Sequence, residues 1–177
     1  MTTPPFAAPT DQEIAVVSAQ LGREARGVVG IAARCVCGNP TVVATSPRLP
    51  DGTPFPTFYY LTHPVATAVM STLEADQLMV ELAASLADDP DVAAAYQRAH
   101  EAFLADRAPF GDVPEIAGIS SGGMPTRVKC LHALVGHALA AGPGVNPMGD
   151  EALRRSKWSP LRCECLVPGA ALAPASN

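Results

Sequence analysis

VVGIAARCVCGNPTVVAT, residues 28–45, is the stretch on which the fold turns. Two short runs rich in β-branched residues, 28–34 and 41–45, flank Cys35-Val36-Cys37-Gly38-Asn39-Pro40, a composition that predicts a β-hairpin with the cysteines in its turn. TFYYLT, residues 57–62, reads as a third strand after a loop over 47–56 with Asp51-Gly52 at its tip. Upstream, Thr10 and Glu13 form a capping-box pattern ahead of Ile14, Val17 and Leu21, so a helix should run to about Leu21 and end at Gly22. Downstream, Pro64 suits the first position of a helix capped by Thr62 or His63. Helical patterning continues to Leu86 with a break near Asp76. Asp88-Asp89-Pro90 opens another helix, with Val92, Tyr96, Ala99 and Phe103 on one face, ending near Arg107. After a loop over 108–125, a helix is expected from about Arg127 to Ala141, stopped by Gly142-Pro143, and a short one over 151–156. Residues 161–167 read as a closing strand. The expectation is an α+β fold: a small, mainly antiparallel sheet packed against several helices. No glycine fingerprint sits between strand and helix, which argues against a Rossmann unit or a Walker loop.

The chain has 177 residues, enough for one domain, here placed at 11–167 between mobile tails at 1–10 and 168–177. Hydrophobic residues make up 48% and charged residues 16%, below the roughly 25% usual for soluble domains, so a sizeable core is expected. A net charge of −5 argues against nucleic acid as a partner, because counterion release needs a broad excess of Lys and Arg. The N-terminus lacks the basic and apolar regions of a secretory signal. A long stretch without Asp, Glu, Lys or Arg, residues 130–149, is interrupted by Pro143, Pro147 and several glycines and does not read as a membrane span. A cytoplasmic location follows as the expectation. In that reducing setting five cysteines read as metal ligands or reactive thiols before disulfides.

Cys35-x-Cys37 and Cys163-x-Cys165 carry the most chemistry. In an extended segment residues two apart point to one side, so each pair can offer two sulfurs to one ion. Together they supply the four thiolates of a tetrahedral structural zinc site, and Gly38 permits the positive φ that brings backbone N–H groups toward the sulfurs. The same ligands would suit an iron–sulfur cluster, and four cysteines can also serve simply as small buried hydrophobes.

Cys130, His132 and His137 form a second group, read as candidate catalytic residues. On one unbroken helix Cys130 and His137 share a face but lie about 10 Å apart along the axis, and His132 points roughly 200° from Cys130. If Cys130 instead sits just before the helix begins, Cys130 and His132 can converge. A thiol at a helix start beside Arg127 and Lys129 favours thiolate, the nucleophilic form. Gly122, Gly123, Arg127 and Lys129 lead into the same helix as a candidate anion site, the partner being a small anion or phosphorylated ligand. The plainer alternatives are a packed boundary cysteine and an ordinary Gly-Gly loop. His63 reads as a helix-start residue, and His100 as a half-buried structural histidine. Asn146, Asp150 and Glu151 read as caps of the short helix, or as groups placed near the thiol.

Residues 20–62, the block SSGGMPTRVKCLHALVGHALAAGPGVNPMGDEAL over 120–153, and the closing WSPLRCEC over 158–165 resemble the bacterial DUF501 family, a domain of unknown function. The resemblance spans nearly all of residues 20–165 and brings no catalytic residue or ligand with it. It implies neighbours in the genome: a septum-formation initiator and an exopolyphosphatase, hence a cell-division or polyphosphate context. The combined expectation is a zinc protein with a structural four-cysteine site. The rivals are an enzyme using Cys130 on a small or phosphorylated substrate, and a non-catalytic adaptor that binds a protein partner.

Overall fold

A computed structural model describes residues 6–165. Its elements are α1 (Asp11–Leu21), β1 (Val28–Arg34), β2 (Pro40–Thr45), β3 (Tyr59–Leu61), α2 (Pro64–Ala75), α3 (Leu78–Asp88), α4 (Pro90–Arg107), α5 (Leu131–Ala141) and α6 (Pro147–Ser156). This is an α+β fold. The strands form an antiparallel meander in the order β1-β2-β3, with Val43 opposite both Ile31 and Tyr60. Every residue of β2 is buried, because both faces of the sheet are covered. Val42 and Ala44 point into the main core with Phe58, Phe103, Leu131 and Leu134, while Val43 on the other face meets Val17 of α1 and Ile31. The period-two alternation of a strand thus splits β2 between two cores.

Local chemistry places the helix starts. Thr10 and Glu13 cap each other's backbone N–H groups at α1, and the Asp89 side chain accepts from Asp91 N and Val92 N at α4. The break near Asp76 falls at Gln77, whose φ of 66° separates α2 from α3. His63 caps α2 through its ring, accepting the Ala66 N–H at 3.4 Å. α5 lies against β3, and a Cβ at Gly136 would stand only 3.2 Å from the Tyr59 carbonyl oxygen. α6 packs on α5 through Gly149, whose Cβ would come within 2.7 Å of the Ala138 Cβ. Arg107, although buried, donates to the carbonyls of Pro56 and Ile116 and ties two loops to the end of α4.

Three expectations need correction. α5 starts at Leu131 rather than Arg127, because the N–H groups of Arg127 and Lys129 turn back to Gly123 O and Gly122 O, each at 2.8 Å, and close the loop on itself. α6 starts earlier than residue 151, at Pro147, with the Asn146 side chain accepting the Gly149 N–H at 3.0 Å. No closing strand forms over 161–165; a turn in which Arg162 N–H donates to Ser159 O leaves no extended run to pair. Residues 166 and 167 of that expected strand, the tail 168–177 and residues 1–5 lie outside the described residues. Within the expected N-terminal tail, Phe6 stacks on Phe110 with ring centroids 5.7 Å apart and lies over Gly30, where a side chain would collide with it.

Candidate metal centre and a second cysteine site

The hairpin turn and the C-terminal segment are brought together by one backbone bond, Val36 N–H to Pro160 O at 2.8 Å. Within the turn Cys35 N–H donates to Asn39 O and Gly38 N–H to Cys35 O, and Gly38 adopts φ 92°, which a residue with a side chain rarely takes. The result gathers Cys35, Cys37, Cys163 and Cys165 so that their sulfurs all lie within 4.8 Å of one another. Cys37 and Cys165 Sγ are 3.4 Å apart. Cys35 is buried and Cys163 exposed, so the group sits at the edge of the fold.

Burial pushes the Cys35 and Cys165 thiols up. At Cys37 burial also opposes ionisation, but the neighbouring Asn39 N–H and the Cys165 and Cys163 thiols outweigh it and hold that thiol below its ordinary value. Among these three, one thiolate therefore forms at the expense of its neighbours. His63 adds a contact the sequence did not announce. Because its Nδ1 accepts the Ala66 N–H, its Nε2 carries the hydrogen and donates to Cys165 Sγ at 3.4 Å. Burial lowers the His63 pKa, in keeping with that neutral ring, and Trp158 packs beside it at 5.1 Å. An N–H aimed at a sulfur is the support that ligand thiolates ordinarily receive from their surroundings.

The second site forms at the start of α5. Cys130 is its N-cap residue, with extended φ −154° and ψ 111°, which lets its sulfur approach His132 Nδ1 at 3.9 Å. Glu74 of α2 completes the group: its Oε1 accepts the Leu131 N–H at 2.7 Å and lies 3.2 Å from His132 Nδ1. Sequence reading missed Glu74. The one local signal was an acidic residue in the last turn of a helix, where the dipole disfavours it unless something else holds it. His132 Nε2 faces the Thr67 carbonyl at 3.1 Å. Ser71 Oγ also lies 3.2 Å from Nε2 and directs its own hydrogen to that same carbonyl, so both partners accept and Nε2 carries a hydrogen. The bond to Cys130, followed by the Glu74 charge, raises the His132 pKa to about 9 against the cost of burial. The same bond holds the Cys130 thiol below its ordinary value, against burial and the Glu74 charge.

His137 does not join this group. It is fully buried, stacked on the Tyr59 ring at 5.7 Å and edge-on to Phe103 at 5.3 Å, with Nδ1 accepting from Asn146 Nδ2 at 3.1 Å. His100 is buried and bonds Ser120 Oγ at 2.8 Å. Gly122 lines the same cavity as Cys130, whereas Arg127 and Lys129 line a separate cleft with Ala83, Leu86 and Pro125. Their backbone N–H groups are spent on Gly123 and Gly122, and the first N–H of α5, that of Leu131, is taken by the Glu74 carboxylate. Asn146 caps α6, Asp150 accepts the Gly144 N–H, and Glu151 pairs with Arg154 and Arg155. Among the described residues no helix is long and apolar enough to cross a membrane.

Fold and site define a single-domain α+β protein with a four-cysteine cluster and a separate cysteine–histidine–glutamate group. The model of a family described as "Protein of unknown function (DUF501)" matches residues 31–154, and the chain belongs to that family. The matched span contains Cys35, Cys37, Glu74, Cys130 and His132 and ends before Cys163 and Cys165. No curated protein and no solved structure matches the chain.

Proposed function

We propose that this is a zinc-binding protein in which Cys35, Cys37, Cys163 and Cys165 hold one structural ion that clips the C-terminal segment to the β1–β2 hairpin. The observation that carries it is four sulfurs within 4.8 Å, delivered by two segments more than a hundred residues apart. Zinc–sulfur bonds of about 2.3 Å in a tetrahedron place sulfurs about 3.8 Å apart, within the spread seen. A multi-iron cluster distributes its thiolates over separate irons and spaces them more widely, so this grouping favours a single ion. Neutral N–H groups and other thiols surround these sulfurs, and a divalent cation is what allows all four to ionise together. The reading implies a reducing compartment such as the cytoplasm, where a metal takes the part a disulfide takes outside.

Elemental analysis of protein purified without added metal tests it. About one zinc per chain is expected, lost in the Cys163→Ser/Cys165→Ser variant. Joining points this far apart in the chain is worth on the order of 5 kcal/mol in loop-closure entropy. At roughly 2–4 °C per kcal/mol, the variant should melt roughly 10–20 °C lower. Protein that carries no metal and melts identically with and without chelator would overturn the proposal.

A further inference from the structure

A cavity of about 640 Å³ opens beside Cys130, and none of the four clustered cysteines is among its described lining residues. Its walls are apolar (Leu21, Leu61, Pro64 and Ala68) or neutral and polar (Thr62 and Ser121), and none of the described lining residues is Lys, Arg, Asp or Glu. Its volume matches that of a small-molecule site. Cys130 and His132 both line it.

The hydrogen positions at His132 limit what this group can be. Thr67 requires a hydrogen on Nε2, and Nδ1 faces Glu74 Oε1 and Cys130 Sγ, two acceptors. A bare lone pair there would oppose a carboxylate at 3.2 Å, so a positive species must sit between the three atoms. A proton suffices. Glu74 has the Leu131 N–H as a further partner, and the imidazolium balances the thiolate.

We propose that Cys130 is a nucleophile for uncharged carboxylic esters, with His132 as its proton donor and acceptor and Glu74 as the residue that positions the imidazolium. The Cys130 sulfur attacks the ester carbonyl carbon, forming a C–S bond and a tetrahedral oxyanion. The backbone N–H of His132, which makes no hydrogen bond among the described residues, is available to that oxygen. Collapse breaks the C–O bond, and the Nδ1 proton goes to the departing alcohol. The neutral ring then takes a proton from water, the resulting hydroxide cleaves the thioester, and thiolate and imidazolium return. Ester and water become acid and alcohol with no change of oxidation state. A phosphorylated substrate is disfavoured, because the cavity offers no side-chain cation besides His132.

Two measurements on the full chain decide the matter, independently of the zinc reading. Peptide-resolved alkylation by iodoacetamide against pH should give Cys130 a midpoint below the free value of about 8.5, returning toward that value in His132→Asn. The titratable groups against the sulfur are His132 from α5 and Glu74 from α2; Tyr59 and Tyr60 of β3 also line the cavity, and the Tyr59 hydroxyl donates to Asp106 at 2.9 Å. With 4-nitrophenyl butyrate, a burst of about one nitrophenolate per chain and an acyl adduct on Cys130 are expected. The monoanionic 4-nitrophenyl succinate should react several-fold more slowly. Cys130→Ser should abolish the burst. Glu74→Gln, whose amide oxygen can still accept the Leu131 N–H, should move the alkaline limb of the rate profile downward by weakening the imidazolium. A wild-type midpoint at or above the free value, an adduct on another cysteine, or a metal equivalent lost on Cys130→Ser would each overturn the proposal. The last would make the three groups ligands.

Discussion

Lowering the pH from 7 to 5 should weaken the fold through His137. The ring is fully buried between Tyr59 and Phe103, and burial drives its pKa down to about 4. In the unfolded chain the value returns to about 6.5. Because the folded value is depressed, the stabilisation is complete above the unfolded pKa and is lost as pH falls toward the folded one. At pH 5 the unfolded state is mostly protonated at this site and the folded state mostly is not, and the difference amounts to about 2 kcal/mol. The full gap, about 3.4 kcal/mol, is reached only below pH 4, once the folded state is protonated as well. Urea unfolding of wild type and His137→Gln at pH 7, 6 and 5 isolates the residue, since both carry the same cysteines and the same remaining histidines. Glutamine keeps an acceptor for Asn146 Nδ2 but cannot titrate. The variant is expected to be less stable at pH 7, with the gap between the two proteins narrowing by about 2 kcal/mol at pH 5. Two curves that stay parallel across this range would refute the assignment of a neutral, desolvated His137.

Gly149→Ala should destabilise by about 1–3 kcal/mol, because its Cβ would crowd the Leu134 carbonyl and the Ala138 methyl where α6 meets α5; thermal melting reads it. A melting temperature unchanged by that methyl would mean the two helices are not in close contact. Asp89→Ala removes the acceptor for two N–H groups at the start of α4 and should cost about 1 kcal/mol in chemical denaturation. Asp89→Asn, which keeps an acceptor oxygen, should recover most of that loss; equal losses in both variants would refute the capping role.

Elements whose cause is local were legible in the chain itself. The capping box at Thr10, the Pro64 and Pro90 helix starts and the β-branched runs around Cys35 each depend on neighbours within a few residues, and each element formed where that chemistry placed it. The C-x-C spacing picked out four cysteines that the fold gathers into one cluster, because two sulfurs per segment is a local property. What needed the folded chain was every choice made between distant parts. Residues 127–129 were expected to be helical, yet the Gly123 and Gly122 carbonyls took the N–H groups of Arg127 and Lys129, and Glu74 received the first N–H of α5. That displacement set Cys130 ahead of the helix and allowed its sulfur to meet His132. Glu74 lies more than fifty residues from Cys130, and His63 about a hundred from Cys165, so no periodicity could connect either pair. His137, further along α5 than its expected partner His132, was claimed by the core because Tyr59 and Phe103 offered it apolar burial that a cavity wall could not. Local sequence sets backbone conformation and the supply of reactive groups; long-range packing decides which of those groups meet, since a side chain's partners depend on chain crossings that no window of residues contains.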